Sequence, residues 1–494
     1  MGSEFEMRMN RRQLLASLCA SAAIGPAFAE APERSLRPVA RGTDLRKMSV
    51  RPADELLARA SLGGSVGYIV RDAATGEVLE VLNPDMPLPP ASTAKALTAL
   101  YALGRLGPEH RFTTRLVAAG AVTDGTLQGD LVLAGGGDPM LDTDALTAMA
   151  RELAATGITR VTGGLKVWTG ALPLVPEVDR EQPDHVGYNP TISGLNLNFN
   201  RVHFGWQRQG AGYDVTMDAR SGSVTPGVQV ARMRVVDRSM PIYTYERGPE
   251  RDEWTVARAA LGNAGARWLP VRFPGLYAGE VFEMLARAEG IAFGAPMGRA
   301  ETDAGTVLVT HRSDRLEPIL EDMLRYSNNM TAETVGLHAS GATGNPVTSL
   351  AQSAERMNGW LRETYGLEDV ALEDHSGLGD DSRVSARALT HAVFASQKEG
   401  ELRPILKPFD MRDEVEFTVE AKTGTLNFVS ALTGFLGGPN GRPLVFTILC
   451  ANIERRDALS MDERERPEGG RAWNAAAKGL QRGLLKRWGT LYDA

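Results

Sequence analysis

Leu88-Pro89-Pro90-Ala91-Ser92-Thr93-Ala94-Lys95, running on into Ala96-Leu97-Thr98-Ala99-Leu100-Tyr101, decides how the rest of the chain is read. The prolines hold the approach extended, and the apolar run has helical spacing that closes near Gly104 to Gly107. Residues three apart share a helix face, so the Ser92 hydroxyl and the Lys95 amine can meet on one turn. A nucleophile beside a base suits serine acyl transfer. Alone, the same tetrapeptide also fits a capped helix with a solvated lysine.

Upstream, Val66–Val70 and Val78–Leu82 flank Asp72-Ala73-Ala74-Thr75-Gly76 and read as a β-hairpin. A Gly-x-Ser-x-Gly match at Gly63–Gly67 precedes a strand instead of joining strand to helix, so it is not a nucleophile elbow. Downstream, short alternating runs such as Leu131-Val132-Leu133, broken by Asp124-Gly125 and Gly135-Gly136-Gly137, mark a β-rich insertion over 112–305. Helical periodicity returns at Pro318–Leu324, breaks at Tyr326–Asn329 and resumes from Thr331 to Leu337. Glu416–Glu420 leads into Lys422-Thr423-Gly424, and Gly437–Gly441 turns into Leu444–Asn452; these two runs read as adjacent antiparallel strands. Ala472–Tyr492 is an amphipathic helix whose stripe of Leu480, Leu484, Leu485, Trp488 and Leu491 fits packing on the sheet or contact with a membrane surface.

The chain has 494 residues, 43% hydrophobic and 23% charged, which implies two or three domains of ordinary globular composition. A net charge of −7 without basic runs argues against nucleic-acid partners. Met1–Glu6 reads as an added leader. Arg8, Arg11 and Arg12, then the apolar Leu14–Ile24, then Ala27-Phe28-Ala29 have the form of a secretory signal, placing the product in the periplasm. Arg11-Arg12 also fits a twin-arginine signal, with the plain Sec pattern favoured. Of two cysteines, Cys19 lies in the signal, so Cys450 is left without a disulfide partner. The seven histidines lack ligand spacing; His375, in Asp374-His375-Ser376-Gly377-Leu378, fits a place near the site or on a surface loop, with the surface loop favoured, and no metal or cofactor is expected.

Two distant elements change the weight of Ser92 and Lys95. Ser327-Asn328-Asn329 fits Ser-x-Asn on a loop between helices, and Lys422-Thr423-Gly424 fits Lys-Thr-Gly on a strand. The order Ser-x-x-Lys, Ser-x-Asn, Lys-Thr-Gly resembles the signature set of penicillin-binding proteins and serine β-lactamases. Each part answers a chemical need. Lys95 can take the Ser92 proton only when neutral, which near pH 7 costs roughly 4 kcal/mol against the ordinary lysine pKa. Desolvation, the helix dipole and nearby Lys422 would supply it. Ser327 can relay a proton to the leaving amine, Asn329 can hold the substrate amide, and Lys422 with the Thr423 hydroxyl can hold a carboxylate. Gly424 leaves the strand face clear for a peptide, and the N–H groups of Ser92 and Thr425 can form an oxyanion hole.

Ser327 follows Ser92 by 235 residues (327 − 92), a span that compact β-lactamases lack. With Gly135–Pro139, Ser193–Asn198 and Asp374–Leu378, the chain resembles the D-alanyl-D-alanine carboxypeptidase/endopeptidase family of penicillin-binding protein 4 type, the class C low-molecular-mass penicillin-binding proteins. The resemblance implies an α+β multi-domain chain: a β-lactamase/transpeptidase-like domain of antiparallel sheet flanked by helices, interrupted by a β-rich region of two smaller domains. The expected bounds are 1–29 for leader and signal, 30–111 and 306–494 for the transpeptidase-like domain, and 112–305 for the insertion. It also implies cleavage of peptidoglycan stem peptides ending in D-Ala-D-Ala through a Ser92 acyl-enzyme that β-lactams trap. A serine β-lactamase and a non-enzymatic wall-binding scaffold are the competing readings.

Overall fold

Alternate residues of the first hairpin strand are buried on opposite sides: Val66, Tyr68 and Val70 in one apolar cluster, Ile69 in another. The sheet it belongs to is therefore covered on both faces, which is why its strands read as apolar runs rather than clean alternations. The computed structural model describes residues 47–398, 400–439 and 441–494, so the leader and signal lie outside the described residues. Val50–Ala494 forms one compact unit.

The sheet is built from β1 (Ser65–Asp72), β2 (Val78–Leu82), β3 (Thr418–Leu426), β4 (Val429–Gly437) and β5 (Leu444–Ala451), in the spatial order β2-β1-β5-β4-β3. Every neighbouring pair is antiparallel. β3 and β5 are thus not neighbours as the sequence suggested; β4 lies between them. All nine residues of β4 are buried, and such a run gives no strand periodicity to read.

One face carries α1 (Ala94–Leu106), α2 (Leu316–Tyr326) and α3 (Asn329–Gly341) over Ile69, Ala431, Phe435 and Leu449. The other carries α4 (Gly470–Leu491), whose Leu480, Leu484, Leu485 and Trp488 pack on Tyr68, Leu432, Phe446 and Ile448. The Trp488 ring lies 5.7 Å from Tyr68 and 6.0 Å from Phe446. Burying each such side chain contributes about 1.5–3 kcal/mol. This helix spends its apolar stripe on the sheet, which removes the basis for the membrane-surface reading. Among the described residues no helix is long and apolar enough to cross a membrane.

Between α1 and α2 the chain leaves for the inserted region. Its first strand, Thr113–Ala118, pairs with Thr306–Arg312, so the inserted sheet closes at Arg312 and not before residue 306 as the sequence boundary had it. Leu131–Gly135 and Leu165–Trp168 pair in parallel, joined through a helix at Thr143–Ala155 capped by Asp142, whose carboxylate accepts from the N–H of Ala145 at 2.8 Å. Turn punctuation had obscured this helix and another at Pro274–Ala288. From the insertion, Leu172, Val175 and Ile192 pack against Met330 and Leu337 of α3. That contact brings the 176–190 segment to the edge of the cleft described next.

Candidate active site

Ser92 lies in a single 3-10 turn, Ala91–Thr93, immediately before α1. Ala91 takes a left-handed φ of 46°, and the Thr93 hydroxyl donates to the Pro90 carbonyl at 2.6 Å. The nucleophile candidate is thereby held off the helix axis by a strained residue on one side and a tied one on the other.

Lys95 is buried and its Nζ has three neighbours: Ser92 Oγ at 3.0 Å, Asn329 Oδ1 at 2.7 Å and the Ser376 carbonyl at 2.8 Å. The amide of Asn329 is oriented by its own Nδ2, which donates to the Tyr188 carbonyl of the inserted region at 2.8 Å. Burial pulls Lys95 below its ordinary pKa, opposed by the negative charges of Asp374 and Glu333.

Ser327 caps α2 in a left-handed conformation, with φ 57° and ψ 41°. Its Oγ accepts from Lys422 Nζ at 2.9 Å. Asn328, between the two motif residues, is the N-cap of α3 and accepts from the N–H of Thr331 at 3.0 Å. An aspartate would serve that cap equally, so the middle residue is set by helix chemistry.

Lys422 projects from β3, is buried, and gives a second hydrogen bond to the Thr423 carbonyl at 2.7 Å. Burial, then the charges of Lys95 and Lys407, hold it well below the usual lysine value. Gly424 has a different task from the one its sequence suggested. A Cβ there would lie 2.8 Å from the Pro90 carbonyl oxygen and 3.0 Å from Ser92 N, so glycine lets the strand close on the Ser92 turn. Ser92, Ser327, Asn329 and Thr425 line a common cavity of about 300 Å³. Neither Lys422 nor Thr423 is among its lining residues, although Thr425, on the same strand face as Thr423, is.

The far wall is the turn at 374–379. Asp374 accepts from the N–H groups of Gly377 at 2.6 Å, Leu378 at 3.0 Å and Gly379 at 2.8 Å. Gly377 has φ 72°, and a Cβ on it would stand 2.0 Å from the Ala91 carbonyl oxygen, so this turn too closes on Ser92. His375 is fully buried, contrary to the surface-loop reading. Its Nε2 lies 2.7 Å from Ser353 Oγ and its ring stacks on Tyr101 at 6.3 Å. Desolvation pushes it down to about 3, so it is a neutral packing residue. Sequence reasoning missed Glu333, fully buried one turn beyond Asn329, although the i, i+4 spacing was available. It also missed Arg456 and Arg464, which line the cavity and both pair with Asp380.

Residues 50–467 match the family model described as the D-Ala-D-Ala carboxypeptidase 3 (S13) family. The chain belongs to the D-Ala-D-Ala carboxypeptidase 3 (S13) family. It is a serine-type peptidase of that family by the same evidence. A D-alanyl-D-alanine carboxypeptidase of Actinomadura sp. (strain R39) is 30% identical over 503 residues, covering 89% of each chain. The D-alanyl-D-alanine carboxypeptidase DacB of Haemophilus influenzae is 22% identical, covering 83% of this chain and 90% of its own. The crystal structure of penicillin binding protein 4 from Haemophilus influenzae superposes with a TM-score of 0.74 at 20% identity, over 88% of this chain and all of that one. It supports the S13 fold seen here, a transpeptidase-like domain with additional domains.

Proposed function

We propose that this S13 chain acts in the periplasm as a D-Ala-D-Ala carboxypeptidase on peptidoglycan stem peptides, with Ser92 as nucleophile and Lys95 as its base. One observation carries the assignment. Two of the three groups around Lys95 Nζ, the Asn329 amide oxygen and the Ser376 carbonyl, can only accept. A neutral amine has two hydrogens and one lone pair. With both hydrogens committed, the lone pair faces Ser92 Oγ at 3.0 Å, where a base must stand.

Ser92 Oγ attacks the carbonyl carbon of the penultimate D-Ala, and its proton passes to Lys95 Nζ. The N–H groups of Ser92 and Thr425 receive the oxyanion. Ser327 Oγ accepts from Lys422, so as its own hydrogen goes to the nitrogen of the departing D-Ala it takes one from Lys422 Nζ, and the proton gained by Lys95 restores Lys422 by way of solvent. Water then attacks the Ser92 ester, giving a proton to Lys95 Nζ, which returns it to Ser92 Oγ as the shortened peptide leaves. Lys422 has two of its three hydrogens engaged, leaving one for the terminal carboxylate of the substrate. A β-lactam presents the same carbonyl and carboxylate, and its ring-opened acyl group should stay on Ser92. The signal-like N-terminal segment supports export.

Mass spectrometry of the protein incubated with penicillin tests the assignment. One adduct on the peptide containing Ser92, absent from Ser92→Ala, is expected. An unmodified protein, or an adduct elsewhere, would overturn it.

A further inference from the structure

The steps above give Glu333 no task, yet it is placed where it can govern them. It is fully buried on α3, four residues beyond Asn329. Its Oε2 accepts from the N–H of His375 at 2.9 Å, while Oε1 has no hydrogen-bond partner among the described residues. The next residue after His375 is Ser376, whose carbonyl receives Lys95 Nζ at 2.8 Å. Glu333 therefore grips the turn that aims the lysine, and among the described residues no ion pair satisfies its own charge.

The charged and titratable groups facing this point come from three elements. Asp374 stands on the turn, with its oxygens already committed to three backbone N–H groups. Lys95 stands on α1, with Lys422 beyond it on β3. His375 is neutral. Burial and the Asp374 charge push the Glu333 carboxyl above the ordinary carboxylate range, opposed by the Ser376 side chain, the His375 N–H and the charge of Lys95, so its ionisation and that of Lys95 are tied together. An ionised Glu333 favours the ammonium form of Lys95; an uncharged one favours the free amine.

We propose that Glu333 is a positioning residue for acylation: it holds the 374–379 turn against Lys95, and its own charge sets the pH at which Lys95 becomes a free base. The inference rests on Lys95 being the base for Ser92. Glutamate is the residue for both duties because its carboxyl can accept from the His375 N–H in either protonation state.

The test is the rate of penicillin acylation of Ser92 against pH, in the full chain, for wild type, Glu333→Gln and Glu333→Met. Glutamine keeps the acceptor and removes the charge. Methionine keeps the volume and removes both, which guards against one variant failing to fold. Both should move the rising acidic limb to lower pH by about one unit, or about tenfold faster acylation at the foot of the limb. In methionine the plateau should also fall, through the lost grip on His375. A midpoint unchanged from wild type in either folded variant, with only a uniform loss of rate, would overturn the proposal. Absence of any wild-type adduct would instead sink the acyl-transfer reading itself.

Discussion

Lys95 and Lys422 are both buried at the Ser92 cleft and both lie below the ordinary lysine pKa, but their surroundings differ in kind. Lys95 has three hydrogen-bonding neighbours on its nitrogen and two buried carboxyl groups, Asp374 and Glu333, opposing its desolvation. Lys422 has two acceptors, and the nearby charges that act on it, Lys95 and Lys407, are of its own sign. The first is balanced within the protein and can trade a proton with Ser92 without outside help. Among the described residues the second has no anion paired with it. A ligand carboxylate would supply it, restoring the positive charge that burial suppresses.

Removing the balanced lysine should cost most. Lys95→Met is expected to slow penicillin acylation by roughly a thousandfold, the scale of a lost positioned base, with the fold intact by circular dichroism. A loss under tenfold would break the distinction between the two lysines. Lys422→Met should act on recognition: about a hundredfold higher KM for a peptide ending in D-Ala-D-Ala carboxylate, and little change for the same peptide ending in an amide. Because the unliganded Lys422 is pulled down and a bound carboxylate pushes it back up, binding should take up protons. Calorimetry in buffers of different ionisation enthalpy reads that uptake, and proton release would contradict the scheme.

Gly424→Ala should be milder. Its methyl meets the Pro90 carbonyl, and forcing the strand back costs about 1–3 kcal/mol, read as a lower melting temperature together with slower acylation. A further effect, confined to acid pH, extends the comparison to a buried base acted on by a second histidine. His338 is pushed down to about 4, by burial and then by His110. Unfolded, it ionises near 6.5, so between that value and about 4 the unfolded chain takes up a proton the folded one refuses. Stability should fall with falling pH by about 1.4 kcal/mol per unit from this residue, and His338→Gln should flatten that part of the melting profile.

What could be read in the sequence was local or chemically punctuated. Ser92 and Lys95 sit within one turn, Ser327–Asn329 marks a break between helices, and the 66–82 hairpin announces itself by its turn. What escaped was set by partners distant in the chain. The strand at 429–437 is buried on both faces, and 306–312 is a strand of the insertion only because 113–118 lies beside it. His375 resembled a loop histidine until Ser353 and Tyr101 closed over it. Glu333 gave no sign in composition, because a carboxyl on a helix reads as solvated unless its neighbours are known.

β1 pairs along its length with β5, Ser65 against Ala451 through Asp72 against Leu444. Trp473 Nε1 reaches back across 411 residues to the Leu62 carbonyl at 2.7 Å. The β1–β5 pair of the sheet that carries the Ser92 turn thus joins the two ends of the described chain. A nascent polypeptide that stops before residue 444 has Ser92, Lys95, Ser327, Asn329 and Lys422 but lacks the strand that joins the β1–β2 and β3–β4 hairpins. Such long-range closure is slow to nucleate. Assembly of the sheet beneath the site therefore waits on almost the whole length of the chain.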